Sequence, residues 1–289
     1  MKAFSSIITL IIIMFLLCSC ATTTDTSDGV SADYSKNSSE QSTTKNETKT
    51  LLWKTVTKNS AGVTTNCIEY DYDSNGRVSI KTNINDTVSS VTYYQYDELG
   101  YVCKEETKTK SGDFISCLIY ENDNSGKVLK ISVLDKNGSV QTETINLYDD
   151  DGRITQEQVD GQIIKNYVYD NNGNYTVTFP GSDRYSKYDK NGNILESVDS
   201  FSSTTYSYAN DLLSEVLMTV NDVIYKTTYE YTNGCVTKQV NYENNEISLV
   251  YTYEYDDNMN LIKDTTANAL GIAQSINEYE YKDFEIQAQ

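Results

Sequence analysis

The sequence predicts an all-β fold, a run of tandem β-hairpins joined into one long antiparallel sheet. Three observations carry that expectation. A string of the form Tyr-Asp-x-x-Gly-x-aliphatic recurs through residues 66–283, at spacings of about 19 to 26 residues. A second set of turn signals falls between these strings, so a turn is due about every 10 to 12 residues. The stretches between turns are rich in Tyr, Val, Ile and Thr, which suit a pleated surface, and the one proline, Pro180, sits in a turn.

The N-terminal region stands apart from this pattern. Residues 1–19 read as a lipoprotein signal peptide. Lys2 supplies the positive start, and Ile7 to Leu17 is almost purely apolar but too short to span a membrane comfortably. It ends in Leu17-Cys18-Ser19-Cys20, which resembles the bacterial lipobox. Cys20 is the expected lipidation site, because Ser19 before it is small, whereas Cys18 follows the bulky Leu17. Two or three acyl chains hold a protein stably where one does not. The expected location is therefore extracytoplasmic, lipid-anchored to the cell membrane or outer membrane. Residues 20–50 carry the lipidated cysteine and a polar Ser/Thr-rich tether that cannot bury enough surface to offset its ordering entropy. Residues 51–289 form the repeat domain.

The formal charge is -19, and removing Lys2 with the signal leaves 22 basic against 42 acidic residues. That balance argues against nucleic acid and against docking on anionic lipid headgroups. Four cysteines remain beyond the signal and lipobox: Cys67, Cys103, Cys117 and Cys235. Their spacing fits no zinc site, there is no histidine to complete one, and disulfide pairs and buried thiols stay equally open.

Each repeat is two strands and two turns. In Tyr70-Asp71-Tyr72-Asp73-Ser74-Asn75-Gly76-Arg77-Val78, a three-residue hairpin loop puts Gly76 in the left-handed position and lets the Asp73 carboxylate accept loop amides. Tyr72 then faces Val78. The same offset of six relates Tyr96 to Val102, Tyr148 to Ile154, Tyr188 to Ile194 and Tyr255 to Leu261. The expected turn residues are Asp73 and Gly76, Asp97 and Gly100, Asp149 and Gly152, Asp170 and Gly173, and Asp189 and Gly192. Alternation places Tyr251, Tyr253 and Tyr255 on one face and Thr252 and Glu254 on the other. Trp53, the only tryptophan, is expected to cover an open edge at the first strand.

These strings resemble the YD repeats of the RHS family, the wall-associated, RHS and teneurin-like proteins, over nearly all of residues 66–283. In large family members such repeats wind into a spiral β-sheet shell, which in toxins encloses an effector. Here the repeats are fewer, and no proline-rich core-closing motif is visible. The expectation is a twisted antiparallel sheet curled into an open trough or short spiral rather than a closed shell.

Little catalytic chemistry is legible. Asp71-Tyr72-Asp73-Ser74-Asn75-Gly76 opens like an EF-hand loop, but position 12 is Thr82, where a bidentate glutamate is required. Asp71 also has no acidic counterpart at Gln95, Leu147, Val168 or Lys187. A reduced site on Asp71, Asp73 and Asn75 would be weak, so no metal and no cofactor is expected. Without histidine there is no Ser-His or Cys-His pair, and no phosphate-binding loop appears. The expected function is non-enzymatic: a lipid-anchored surface protein whose sheet is a scaffold or a binding surface for envelope carbohydrate or another protein. The alternative is a truncated shell component or partner in an RHS-type toxin system.

Overall fold

A computed structural model describes residues 46–85 and 89–287. The signal peptide, Cys20 and most of the expected tether lie outside these residues. The described chain is twenty strands and their turns. They are β1 (Asn46–Asn59), β2 (Thr64–Tyr72), β3 (Val78–Asn85), β4 (Ser90–Tyr96) and β5 (Val102–Thr109). Next come β6 (Phe114–Asn122), β7 (Val128–Leu134), β8 (Val140–Tyr148), β9 (Ile154–Val159) and β10 (Gln162–Tyr169). Then follow β11 (Tyr175–Thr178), β12 (Tyr185–Tyr188), β13 (Ile194–Val198), β14 (Ser202–Ala209) and β15 (Leu212–Val220). The last are β16 (Val223–Thr232), β17 (Cys235–Glu243), β18 (Glu246–Tyr255), β19 (Leu261–Asn268) and β20 (Ala273–Gln287).

Every strand pairs antiparallel with its neighbours in sequence, and β1 also pairs with β20, from Asn46↔Gln287 to Asn59↔Ser275. The sheet is therefore a closed up-and-down barrel, and the expected open trough or spiral is wrong. The reason is a ladder between chain ends: β1 and β20 are the longest strands, and closure leaves neither edge unpaired. The same ladder corrects the expectation for Trp53. It covers no edge, because it is the extra residue of a bulge between Leu52↔Tyr281 and Lys54↔Glu280.

Twenty strands at roughly 4.8 Å spacing make a ring at least about 30 Å across between opposite backbones. Only adjacent strands make substantial contacts, and the buried apolar side chains among the described residues are few: Cys117, Val177, Cys235, Val240 and Ile286. The wall is one layer thick. Tyr70, Tyr94, Tyr120, Tyr229, Tyr253 and Tyr279 share one face and are half-buried. Tyr93, Leu147, Val168, Leu217 and Ile224 lie on the other face and are exposed. Side chains converge on the concave side of a closed sheet and splay on the convex side, so the tyrosine face is the inner wall.

The barrel has two different rims. β1 begins and β20 ends at the rim that carries the turns after even-numbered strands, most of them Asp-Gly turns, here the proximal rim; the same turn at Asp135 and Gly138, after β7, stands at the other rim. The distal rim carries the turn after each odd-numbered strand.

Candidate binding wall

Each proximal turn is built by its aspartate. The Asp73 amide donates to the Arg77 carbonyl and the Gly76 amide donates back to the Asp73 carbonyl. Asp73 Oδ1 accepts the amides of Asn75 and Arg77, each at 2.9 Å, and Oδ2 accepts the Arg77 side chain. Asp97, Asp149, Asp170 and Asp189 accept the amides two and four residues on in the same way. Gly76, Gly100, Gly152, Gly173 and Gly192 all have positive φ, between 73° and 89°. Asp123 and Asp256 make the same turn, and in the latter Met259, at φ 64°, stands where the others have glycine. Each aspartate meets its own turn glycine, and the turns are spread around the rim, so the expected turn residues form separate turns and not one site.

Electrostatics follow from this geometry. The Arg153 guanidinium holds the Asp149 carboxyl below its ordinary value, and the Asn174 amide does so for Asp170. For Asp73, burial opposes ionisation but the hydrogen bonds from Arg77 outweigh it, and the carboxyl ends up lowered. Each carboxylate is thus spent on its own turn. Asp71 lies exposed on the outer face, away from Tyr72.

The tyrosine–aliphatic pairs fall in register: Tyr72↔Val78, Tyr96↔Val102, Tyr148↔Ile154, Tyr188↔Ile194 and Tyr255↔Leu261. Two pairs use a shorter, two-residue turn with both central residues at positive φ or glycine: Tyr208↔Leu213 around Asn210-Asp211, and Tyr231↔Val236 around Asn233-Gly234. One residue after each aliphatic partner is bulged, as with Ser79, Cys103 and Ile262.

Two features went unread in the sequence. The first is the use of the tyrosine hydroxyl. Tyr96 Oη donates to the Val78 carbonyl at 2.7 Å, Tyr231 Oη to Leu213 at 2.7 Å, and Tyr255 Oη to Val236 at 2.8 Å. Each acceptor is the aliphatic partner in the preceding tyrosine pair. The series runs through the seam, because Tyr72 Oη donates to Leu52 and Tyr281 Oη to Leu261. Leu52 and Tyr281 thus form a pair with no turn between them. The signal was available: 25 Tyr against 6 Phe means that a hydroxyl, and not only a ring, is selected. The second feature is the residue after the turn glycine. Arg77 lies over the Tyr96 ring at 4.1 Å, Lys127 over Tyr148 at 5.7 Å and Arg153 over Tyr169 at 4.8 Å. Tyr101 fills the space that a side chain at Gly126 would take. These side chains link one repeat to the next along the rim.

The inner wall combines rings with amides and one buried carboxylate. Asp264 accepts Tyr279 Oη at 2.7 Å and Asn277 Nδ2 at 3.0 Å, and Thr57 Oγ1 donates to Asn277 Oδ1 at 2.7 Å. Farther round, Gln239 Nε2 and Thr227 Oγ1 both donate to Asn241 Oδ1. Burial pushes the Tyr72, Tyr167, Tyr175 and Tyr229 phenols up to about 12. Where β10 meets the short strands β11–β13, Tyr175 stacks on Tyr188 with centroids 4.7 Å apart and meets Tyr169 at 5.2 Å. A shallow depression of about 340 Å³ lies there, lined by these rings with Asp170 and Asn174 and by the outer-face Val168, Thr176, Lys187 and Leu195, so it belongs to both faces of the short-stranded wall.

The outer wall is laced with ion pairs, including Lys130–Glu121, Lys187–Glu196, Lys238–Glu230 and Lys263–Glu254. The inner wall carries Lys165–Glu157 as well as Asp264. Exposed apolar side chains such as Leu129, Leu147, Val168 and Leu217 stand among the outer-wall charges. Cys67, Cys103 and Cys117 carry free thiols, and burial raises the pKa of Cys67 and Cys117, which makes them poor nucleophiles.

No family model matches the chain, and no curated protein does. Among solved structures it is similar to the crystal structure of TcdB2-TccC3-Cdc42, at 18% identity over 74% of this chain and 13% of that one, with a TM-score of 0.33. It is similar to the Photorhabdus luminescens Tc holotoxin pore at 14% identity over 74% of this chain and 16% of that one, with a TM-score of 0.32. A porin-like protein from Bacteroides uniformis is 12% identical over 80% of this chain and 98% of its own length, with a TM-score of 0.37. The chain spans a small part of the two toxin chains. At these scores the likeness assigns neither family nor activity.

Proposed function

We propose that this chain is a non-enzymatic, lipid-anchored extracytoplasmic protein whose barrel is a scaffold with a binding wall, its ligand an envelope carbohydrate or another protein. The observation that supports this most is the inner wall. Its half-buried tyrosines stand beside fixed amide and carboxylate groups, a combination that suits stacking on a sugar ring while its hydroxyls are hydrogen-bonded. Catalysis lacks a supporting arrangement, since the turn carboxylates are held in separate turns and no histidine exists. The alternative, a shell component or partner in an RHS-type toxin system, gains no specific support from the barrel.

The test is a glycan array probed with a chain lacking residues 1–42, alongside a variant with Tyr169, Tyr175 and Tyr188 changed to Ser. Binding to a defined glycan class that falls at least tenfold in the variant supports the sugar version. Uniform absence of binding to glycans removes it and leaves a protein ligand.

A further inference from the structure

Asp264 is the buried carboxylate among the described residues, at 8% exposure. It stands on the inner wall in β19, directly opposite Tyr253 of β18 and Asn277 of β20. Its oxygens accept neutral donors, the Tyr279 hydroxyl on Oδ2 at 2.7 Å and the Asn277 amide on Oδ1 at 3.0 Å. A carboxylate can accept about four hydrogen bonds, so about half of that capacity has no donor from the chain. Among the described residues no cation pairs with it. Other carboxylates nearby are matched. Glu157 on the same wall meets Lys165 at 2.9 Å, and on the outer wall Glu254 meets Lys263 at 2.7 Å and Glu278 meets Lys58 at 2.6 Å.

The repeat does not require an acid at this position. Asp264 lies three residues after Leu261, the aliphatic partner of Tyr255. At the same place in two other repeats Ile131 faces Tyr120 and Val216 faces Tyr206. An aliphatic side chain therefore fits, and a buried charge without an opposite charge is costly. Glu105 repeats the arrangement in part, opposite Tyr94 and accepting Tyr120 Oη at 3.0 Å, but Leu118 stands there in place of Asn277.

We propose that Asp264 anchors a subsite for an organic ammonium group and that the ligand is a glycan with a free amino sugar, which rests on the inner wall being the binding wall. A carboxylate beside two aromatic rings suits an ammonium ion, which meets the opposite charge on one side and ring faces on the others. An ammonium entering from the lumen supplies both the missing donors and the missing charge. Burial, and then the Asp264 charge, raise the Tyr253 and Tyr279 phenols, so both rings stay neutral beside it. The surroundings favour a sugar over a lysine side chain. Gln239, Tyr251, Thr266 and Asn277 present amides and hydroxyls around the subsite, which match the hydroxyls beside a sugar amine and not a four-carbon stem.

The experiment is isothermal titration calorimetry of residues 21–289, which keep all twenty strands, with a glucosamine tetramer and with its fully N-acetylated counterpart. The expected result is binding of the free amine form at least about tenfold tighter than the acetylated form, weakened by salt. Asp264→Asn should cut that binding at least about tenfold. Glu254→Gln removes the same charge from the outer wall and should change it by less than about twofold. Equal losses in the two variants would mean that the acidic surface as a whole attracts the oligomer, and would overturn the proposal. If Asp264→Asn does not fold by circular dichroism, Tyr253→Leu takes its place, with a loss of at least about fivefold expected and an unchanged affinity overturning the subsite. Equal affinity for the two tetramers overturns the amine requirement and leaves a glycan-binding wall standing. Binding of neither also overturns the subsite, whereas the wall itself fails only if binding is absent across the whole glycan array. Preference for a lysine-rich peptide over both sugars would assign the subsite to a protein ligand and overturn the glycan.

Discussion

Ile286, near the end of β20, is the most buried large side chain of the barrel, at 2% exposure. It packs on Gly76 and lies with Leu51 over the first proximal turn. Its neighbours hold the same place: the Phe284 ring meets Tyr72 edge-on at 4.9 Å, and the Gln287 amide donates to the Ser74 carbonyl. Ile286→Ala removes three buried carbon groups, worth about 2.4 kcal/mol at roughly 0.8 kcal/mol each, before any cavity is counted. Partial collapse of a site near a chain end limits the cavity term, so the expected loss is about 2–3 kcal/mol. Ile262→Ala is the control, because Ile262 is a bulge residue at 38% exposure and should cost under about 1 kcal/mol. Urea denaturation followed by Trp53 fluorescence reads the difference at the seam, since Trp53 lies there with Lys282 5.8 Å from its ring. A loss for Ile286→Ala no greater than for Ile262→Ala would refute the docked end of β20.

Three further outcomes follow from the same geometry. Tyr96→Phe deletes the bond to the Val78 carbonyl and should cost about 1 kcal/mol in the same assay, with no change in secondary structure. Met259→Gly relieves a bulky residue at φ 64° and should stabilise the barrel by about 1 kcal/mol; a loss would mean the Met259 side chain has a packing role. The pH profile should be bounded on both sides. Asp149 and Asp170 have folded pKa values below the ordinary 3.8, so their contribution is present above that pH and is lost as pH falls below it. Tyr72, Tyr167, Tyr175 and Tyr229 are raised from 10.0 to about 12, so theirs is present below pH 10 and is lost between about 10 and 12. Ultraviolet titration of the phenols that completes near pH 10 in the folded protein would contradict this.

The hairpins were legible because each is a local object. The Asp-Gly turn and the offset of six between Tyr72 and Val78 lie within one window, and they specify both loop length and register. The closed ring was not legible, because it depends on Asn46–Asn59 meeting Ser275–Gln287 across the whole chain, and no local periodicity records that. The trace it left was subtle. Tyr279-Glu280-Tyr281 begins a repeat whose aliphatic partner, Leu52, stands at the other end of the sequence. The binding wall was half legible: alternation gave the tyrosine face, but the hydroxyl acceptors and the Arg77, Lys127 and Arg153 links require knowing which repeats are neighbours.

Closure of β1 on β20 is tested most directly by cross-linking. Thr48 and Glu285 are paired across the seam, so Thr48→Cys and Glu285→Cys in one chain stand about 5 Å apart between backbones if the barrel is closed. In an open ribbon of twenty strands they would be on the order of 100 Å apart. A short bismaleimide applied to dilute protein should give an intrachain cross-link that alters gel mobility, absent from the parent and from each single variant. A double variant that stays uncross-linked, or that links only between chains, would contradict the closed barrel.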